Sequence, residues 1–215
     1  MKRLFIIRHG KTAWNLAKRL QGAGADSQLL TADLTGYHQL ARYLAAYPFT
    51  QVYTSPITRA KQTATIVTQA MGLTLPIHSL PGLKELSFGQ WEGKQRADLI
   101  ATSPALFAKL SRRENDPALQ ALGVEDFAQA RARFRQALQQ IAARLGENEN
   151  ALVFSHGGIS QLGIKAATGN ENLLGLKNLS TSILAVHEHR FYLDVYNQTA
   201  YLTHTDLDEG NVSIL

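Results

Sequence analysis

Leu4-Phe5-Ile6-Ile7 runs directly into Arg8-His9-Gly10. Four consecutive apolar residues are too short a run for anything but a buried strand, and that strand delivers the Arg-His-Gly at its end. Strand ends are where open α/β sheets bind their ligands. Lys11-Thr12-Ala13-Trp14-Asn15 then reads as a turn into a short helix, whose first N–H groups should point back toward His9. An Arg, an imidazole and free backbone donors make a pocket for an anion.

The same construction recurs at Ala151-Leu152-Val153-Phe154-Ser155-His156-Gly157-Gly158, followed by a helical stretch from Ile159 to Thr168. If the two strands are parallel neighbours in one sheet, His9 and His156 emerge side by side at its carboxyl edge. A lone His after a strand is usually structural. Two copies, one preceded by Arg, point to phosphoryl chemistry.

Composition bounds the reading. The chain has 215 residues, 45% hydrophobic and 18% charged, which suits one sizeable core in an ordinary globular protein. The absence of Cys excludes disulfides, thiolate catalysis and thiolate zinc sites. After Met1-Lys2-Arg3 the apolar run breaks at Arg8, short of the roughly 7–15 residues of a secretory signal, and nothing approaches the ~20 apolar residues of a membrane helix. A cytoplasmic protein without membrane attachment is the simplest expectation. The net charge of +5 admits a nucleic-acid binder, but Lys and Arg are scattered. The densest group, Arg131, Arg133 and Arg135, reads as the solvated face of a helix.

Along the chain, Gly22, Gly24 and Asp26-Ser27 mark a loop, and Tyr37, Leu40, Ala41 and Leu44 a helix that Pro48 ends. Gln51 to Thr54 is a short strand. Ser55-Pro56 reads as N-cap and N1 of a helix striped by Ile57, Ala60, Ala64, Val67 and Met71, with Gly72 as its C-cap. Arg59 falls in that helix's first turn, where its charge opposes the dipole, so a bound anion is the expected compensation. Leu83 to Gly93 packs two aromatics and two glycines around Glu85 and Glu92. Residues 94–125, broken by Pro104 and Pro117, read as helical pieces and loops over the mouth of the site. Phe127, Phe134, Leu138, Ile141 and Leu145 stripe a further helix closed by Gly146. Ser182–Val186 and Arg190–Tyr196 alternate as a hairpin, with Tyr201-Leu202 adding a little more strand. The His187-Glu188-His189 between them reads as a polar turn rather than a metal site.

These motifs resemble the histidine phosphatase superfamily, the phosphoglycerate mutase-like proteins. The resemblance rests on Arg8-His9-Gly10, on Ser55 to Ala64 as Ser-Pro-x-x-Arg-Ala-x-x-Thr-Ala, on Glu85 with Gly89-Gln90-Trp91-Glu92-Gly93, and on His156-Gly157. It implies a three-layer α/β/α sandwich with a mostly parallel central sheet, formed as a single domain over residues 1–215 with 94–125 as a cap or specificity insertion. It implies a catalytic set of His9 as nucleophile, Glu85 as general acid, and Arg8, Arg59 and His156 on the phosphate. Asn15, Gln21, Gly22 and Gly157 join Arg8, Arg59 and His156 as substrate-binding residues. Glu92 is expected to be a structural hydrogen-bonding carboxylate. Asp26-Ser27-Gln28-Leu29-Leu30-Thr31 departs from the commoner Asp-Ser-Pro-Leu-Thr, so its contacts stay unassigned.

The implied activity is a metal-independent, cofactor-free phosphatase. It would hydrolyse small phosphorylated metabolites through a phosphohistidine. Two alternatives stand beside it, a phosphoglycerate mutase and a non-catalytic binder of phospho-ligands or nucleic acid. Mutases tend to follow the acidic Glu with Arg-His-Tyr-Gly, whereas Leu86-Ser87-Phe88-Gly89 stands here. The oligomeric state is open, a homodimer included.

Overall fold

In the computed structural model, which describes residues 1–206, a six-stranded sheet runs through the middle of the chain. Its strands are β1 (Lys2–Arg8), β2 (Gln51–Thr54), β3 (Ile77–Ser79), β4 (Asn150–Ser155), β5 (Thr181–His187) and β6 (Arg190–Gln198), ordered β3-β2-β4-β1-β5-β6. The first four in that order are mutually parallel, and β5 and β6 add an antiparallel hairpin beside β1.

The unbroken apolar run of β1 is explained by what covers it. Leu4 and Ile6 enter one core with Ala151 and Val153 of β4, while Phe5 and Ile7 enter a second core on the opposite face with Leu152 and Phe154. The first core is closed by α7 (Phe127–Arg144) and α8 (Gly157–Thr168), the second by α2 (Thr35–Leu44) and α3 (Thr58–Ala70). A strand covered on both sides has no use for alternation. The result is the α/β/α sandwich anticipated from sequence.

The remaining helices are short. α1 (Ala13–Leu16) follows β1, and α4 (Arg96–Thr102), α5 (Pro104–Arg112) and α6 (Pro117–Ala121) occupy the irregular segment 94–125.

Several local expectations are corrected. α3 starts at Thr58 with Ile57 at its N-cap, not at Ser55-Pro56, because the Ser55 hydroxyl pairs with His156 and accepts from the Ile57 N–H instead. α2 stops at Leu44, ahead of Pro48, and α7 stops at Arg144, ahead of Gly146. Tyr201-Leu202 adds no strand. Tyr201 stacks on Tyr43 and its hydroxyl donates to the Leu179 carbonyl.

Arg131, Arg133 and Arg135 are not one solvated face either. Arg131 pairs with Glu171, only Arg135 is exposed, and Arg133 turns inward to Glu125 and to three backbone carbonyls.

Candidate active site

The register of the central strands creates the site. Arg8 of β1 lies opposite Ser155 of β4, so the next residue of each strand leaves the sheet at the same level, and the His9 N–H donates to the Ser155 carbonyl at 3.0 Å. The two imidazoles meet edge to face with centroids 5.2 Å apart. Both are buried. His9 Nδ1 lies 2.7 Å from the Gly10 carbonyl, which can only accept, so Nδ1 carries the proton and Nε2 keeps its lone pair. Burial, with the charges of Arg59 and Arg8, holds this imidazole well below its usual pKa. Burial does the same to His156, helped by Arg59, by His9, by Arg8 and by Arg133. His156 Nε2 pairs with Ser55 Oγ at 2.7 Å, and its Nδ1 has no hydrogen-bond partner among the described residues.

Arg59 is 1% exposed, and three acceptors hold it. Its Nε donates to His9 Nε2 at 3.2 Å, Nη2 to the Gly22 carbonyl at 3.1 Å and Nη1 to Asp26 at 3.3 Å. Asp26 also accepts the Thr58 N–H at 3.1 Å, so one carboxylate serves both the start of α3 and the guanidinium lodged there. The expectation that an anion alone would compensate Arg59 is corrected accordingly. In the sequence Asp26 stood out only as part of a loop whose contacts could not be assigned, because an acid in an irregular loop does not announce its partner. Arg8, the last residue of β1, donates to the Leu176 carbonyl at 2.5 Å.

The α1 turn does not offer the free N–H groups expected of it. Ala13 donates to the Gln28 carbonyl, Trp14 to Ser27 Oγ and Asn15 to Thr12 Oγ1. Asn15 Oδ1 accepts the Thr12 N–H in return. Gly10 is required by crowding, since a Cβ there would lie 1.9 Å from the Tyr37 hydroxyl.

Glu85 is 6% exposed and sits at the start of α8. One carboxylate oxygen accepts the N–H groups of Leu86 and Ile159 at 2.9 and 2.7 Å, the other that of Gly158 at 3.0 Å. Glu92 holds the neighbouring loops by accepting from Phe88 and Gly24 at 2.9 and 3.0 Å.

A cleft opens over this floor. Of the residues singled out from sequence, Arg8, His9, Asn15, Gln21, Glu85 and Gly157 line it. Arg59, Gly22 and His156 are not among the residues that line it, though Arg59 reaches His9 and the Gly22 carbonyl. The far wall comes from α4, α5 and the residue after α5, which bring Arg96, Phe107, Ser111 and Arg113. Sequence reading did not select these four. Arg113 adopts a left-handed φ of 60° and sets its guanidinium 5.6 Å from the Phe88 ring and 5.9 Å from that of Phe127. Its only sequence signal was a cation in a segment without periodicity. Among the described residues no three His, Asp or Glu side chains gather as a metal site would need, and no helix is long and apolar enough to cross a membrane.

A floor of this kind suits a tetrahedral anion beside a nucleophilic nitrogen, so fold and site together define an α/β enzyme of phosphoryl chemistry. The chain belongs to the histidine phosphatase superfamily, branch 1, whose sequence profile matches residues 4–199. It is 31% identical over 189 residues to a probable phosphoglycerate mutase, GpmB, of Erwinia tasmaniensis, covering 85% of this chain and 84% of that protein. It is 26% identical over 201 residues to the metal-independent phosphoserine phosphatase of Arabidopsis thaliana, covering 93% and 83% respectively. Among solved structures, a mycobacterial glucosyl-3-phosphoglycerate phosphatase complexed with VO3 superposes with a TM-score of 0.79 at 27% identity, over 93% of this chain and all of that one.

Proposed function

We propose that this protein is a metal-independent phosphatase that releases phosphate from monoesters of small metabolites through a phosphohistidine at His9. One observation carries the reading: His9 presents an unprotonated Nε2 to the Arg59 guanidinium, its proton held on the far nitrogen by the Gly10 carbonyl. An entering phosphate takes over the Arg59 Nε donor, which exposes the Nε2 lone pair to phosphorus. Arg8, Arg59 and His156 carry the charge of the equatorial oxygens, with Asn15, Gln21, Gly22 and Gly157 around them.

The Nε2–P bond forms as the bond from phosphorus to the ester oxygen breaks, and Glu85 gives its proton to the departing oxygen. Water then attacks phosphorus and returns a proton to Glu85. The Nε2–P bond breaks and inorganic phosphate leaves. The guanidinium groups supply the charge a metal would supply, and the neutral imidazoles supply the nucleophile and a hydrogen-bonding partner. Residues 1–215 act as one domain in this reading, with 94–125 as the cap over the cleft and the cytoplasm as its place of action.

One observation favours the mutase as a second reading. Arg96 and Arg113 line the cleft and supply cations that the Leu86-Ser87-Phe88-Gly89 stretch lacks. Incubation with an aryl phosphate and with 3-phosphoglycerate, both under chelator, tests the proposal. Inorganic phosphate released from both is the expected result. Isomerisation of 3-phosphoglycerate without release would make it a mutase, and binding without turnover would make it a binder.

A further inference from the structure

We propose that Arg133 and Glu125 are positioning residues for Glu85, fixing the main chain from which the proton donor hangs; this rests on the role given to Glu85 above. A guanidinium has five N–H donors, and Arg133 spends all five on one patch. Nε and Nη2 fork onto the Glu125 carboxylate at 2.6 and 2.9 Å. Nη1 donates to the carbonyls of Gly82 and Lys84 at 2.9 and 2.8 Å, and Nη2 to that of Glu85 itself at 3.1 Å. A planar fork satisfied in this way sets direction as well as distance.

Glu125 extends the grip to the other side of Leu86. Its carboxylate accepts the Ser87 N–H at 3.3 Å and its own N–H donates to the Ser87 carbonyl at 3.0 Å. The loop also lies hard against α7, for a Cβ on Gly82 would come within 2.8 Å of the Ala137 side chain. Glu85 is thus held twice, by its carboxylate at the start of α8 and by its backbone at the Arg133–Glu125 fork. Neither fork residue hydrogen-bonds to Arg8, His9, Arg59 or His156. Loosening the fork therefore moves the acid, while the anion cradle feels Arg133 only through its charge on His156.

That separation gives the test. Proton donation matters for a poor leaving group and little for an activated one. Arg133→Gln and Glu125→Gln, assayed in the full chain, are each expected to lower kcat/KM on an alkyl phosphate about tenfold to a hundredfold while costing an activated aryl phosphate less than about threefold. Inhibition by vanadate should stay as it is. The two substitutions change the net charge in opposite directions, so a shared effect cannot come from a field on the histidines. Equal losses on the two esters, no loss on either, or a parallel weakening of vanadate would overturn the proposal. Should Arg133→Gln fail to fold, Glu125→Gln decides by the same criteria. Glu85→Gln, run alongside, separates the two layers of argument. If it shows no ester selectivity, the acid role falls; if it does and the fork variants do not, only the positioning falls.

Discussion

Asp26 decides how Arg59 waits between substrates. It lies 3.3 Å from a guanidinium that is 1% exposed, while its own side chain is 36% exposed, so it is the wetter partner of the pair. On the function proposed, a phosphate arriving at His9 has to share Arg59 with it. Asp26→Asn keeps an acceptor for the Thr58 N–H but removes the competing charge. Inorganic phosphate should then inhibit more tightly, by about three- to tenfold for one unit charge removed at partly screened range. A phosphate inhibition constant that stays put or weakens would show that Asp26 orders Arg59 more than it competes for it. At this scale the sequence speaks unevenly. His9 and His156 are legible because each follows a buried strand and precedes glycine. Asp26 and Arg113 are not, because a loop and a left-handed residue past a helix end leave no periodic trace.

α8 illustrates what an element owes to its neighbours. It has to begin directly below His156, which brings its Gly163 against α7 so closely that a Cβ would sit 2.0 Å from a ring carbon of Phe134. Helix propensity alone favours Gly163→Ala by up to about 1 kcal/mol. Packing opposes it, since overfilling a close-packed interior costs about 1–3 kcal/mol, and the ring belongs to a fully buried side chain. Net destabilisation is the expected outcome in chemical denaturation, with recovery when Phe134→Leu is added. An unchanged midpoint would mean the two helices can spread. The stripe of α7 was plain in the sequence because core residues recur every three or four positions. The start of α3 was not, because Ser55 looks like a cap and is engaged across the sheet by His156, a tertiary contact that local pattern cannot contain. The helices of 94–125 are short and interrupted, and their places depend on the cleft they wall.

Over the whole molecule, burying two neutral imidazoles ties stability to pH. Both fall well below the ordinary value of 6.5 in the folded protein, so below that pH the unfolded chain takes up protons that the native state refuses. The contribution is complete above pH 6.5 and is lost progressively as the pH falls toward the folded values. Each imidazole adds a slope of about 1.4 kcal/mol per pH unit at most. Thermal unfolding in phosphate-free buffer should decline between pH 6.5 and 5.5, and less steeply in His156→Asn. A wild-type profile flat across that window would contradict the burial of the pair. The sandwich itself was readable at this scale, since β1 and β4 carry apolar runs that only two-sided cover explains. The parallel pairing of β1 with β4 was readable too, from the two strand-His-Gly units, whereas that of β1 with β5 was not, because nothing local to either strand announces it.

That order governs how the protein comes into being. Of the strands of this sheet the one made first, β1, lies at its centre, and both of its neighbours, β4 and β5, are made after β2 and β3. Until they emerge, Leu4 to Ile7 is an unclaimed apolar tape, and a long loop must close before it pairs. The nascent chain therefore carries His9 without His156 beside it until β4 has been made. The pocket that the two imidazoles share can form only once β4 has followed the other three parallel strands.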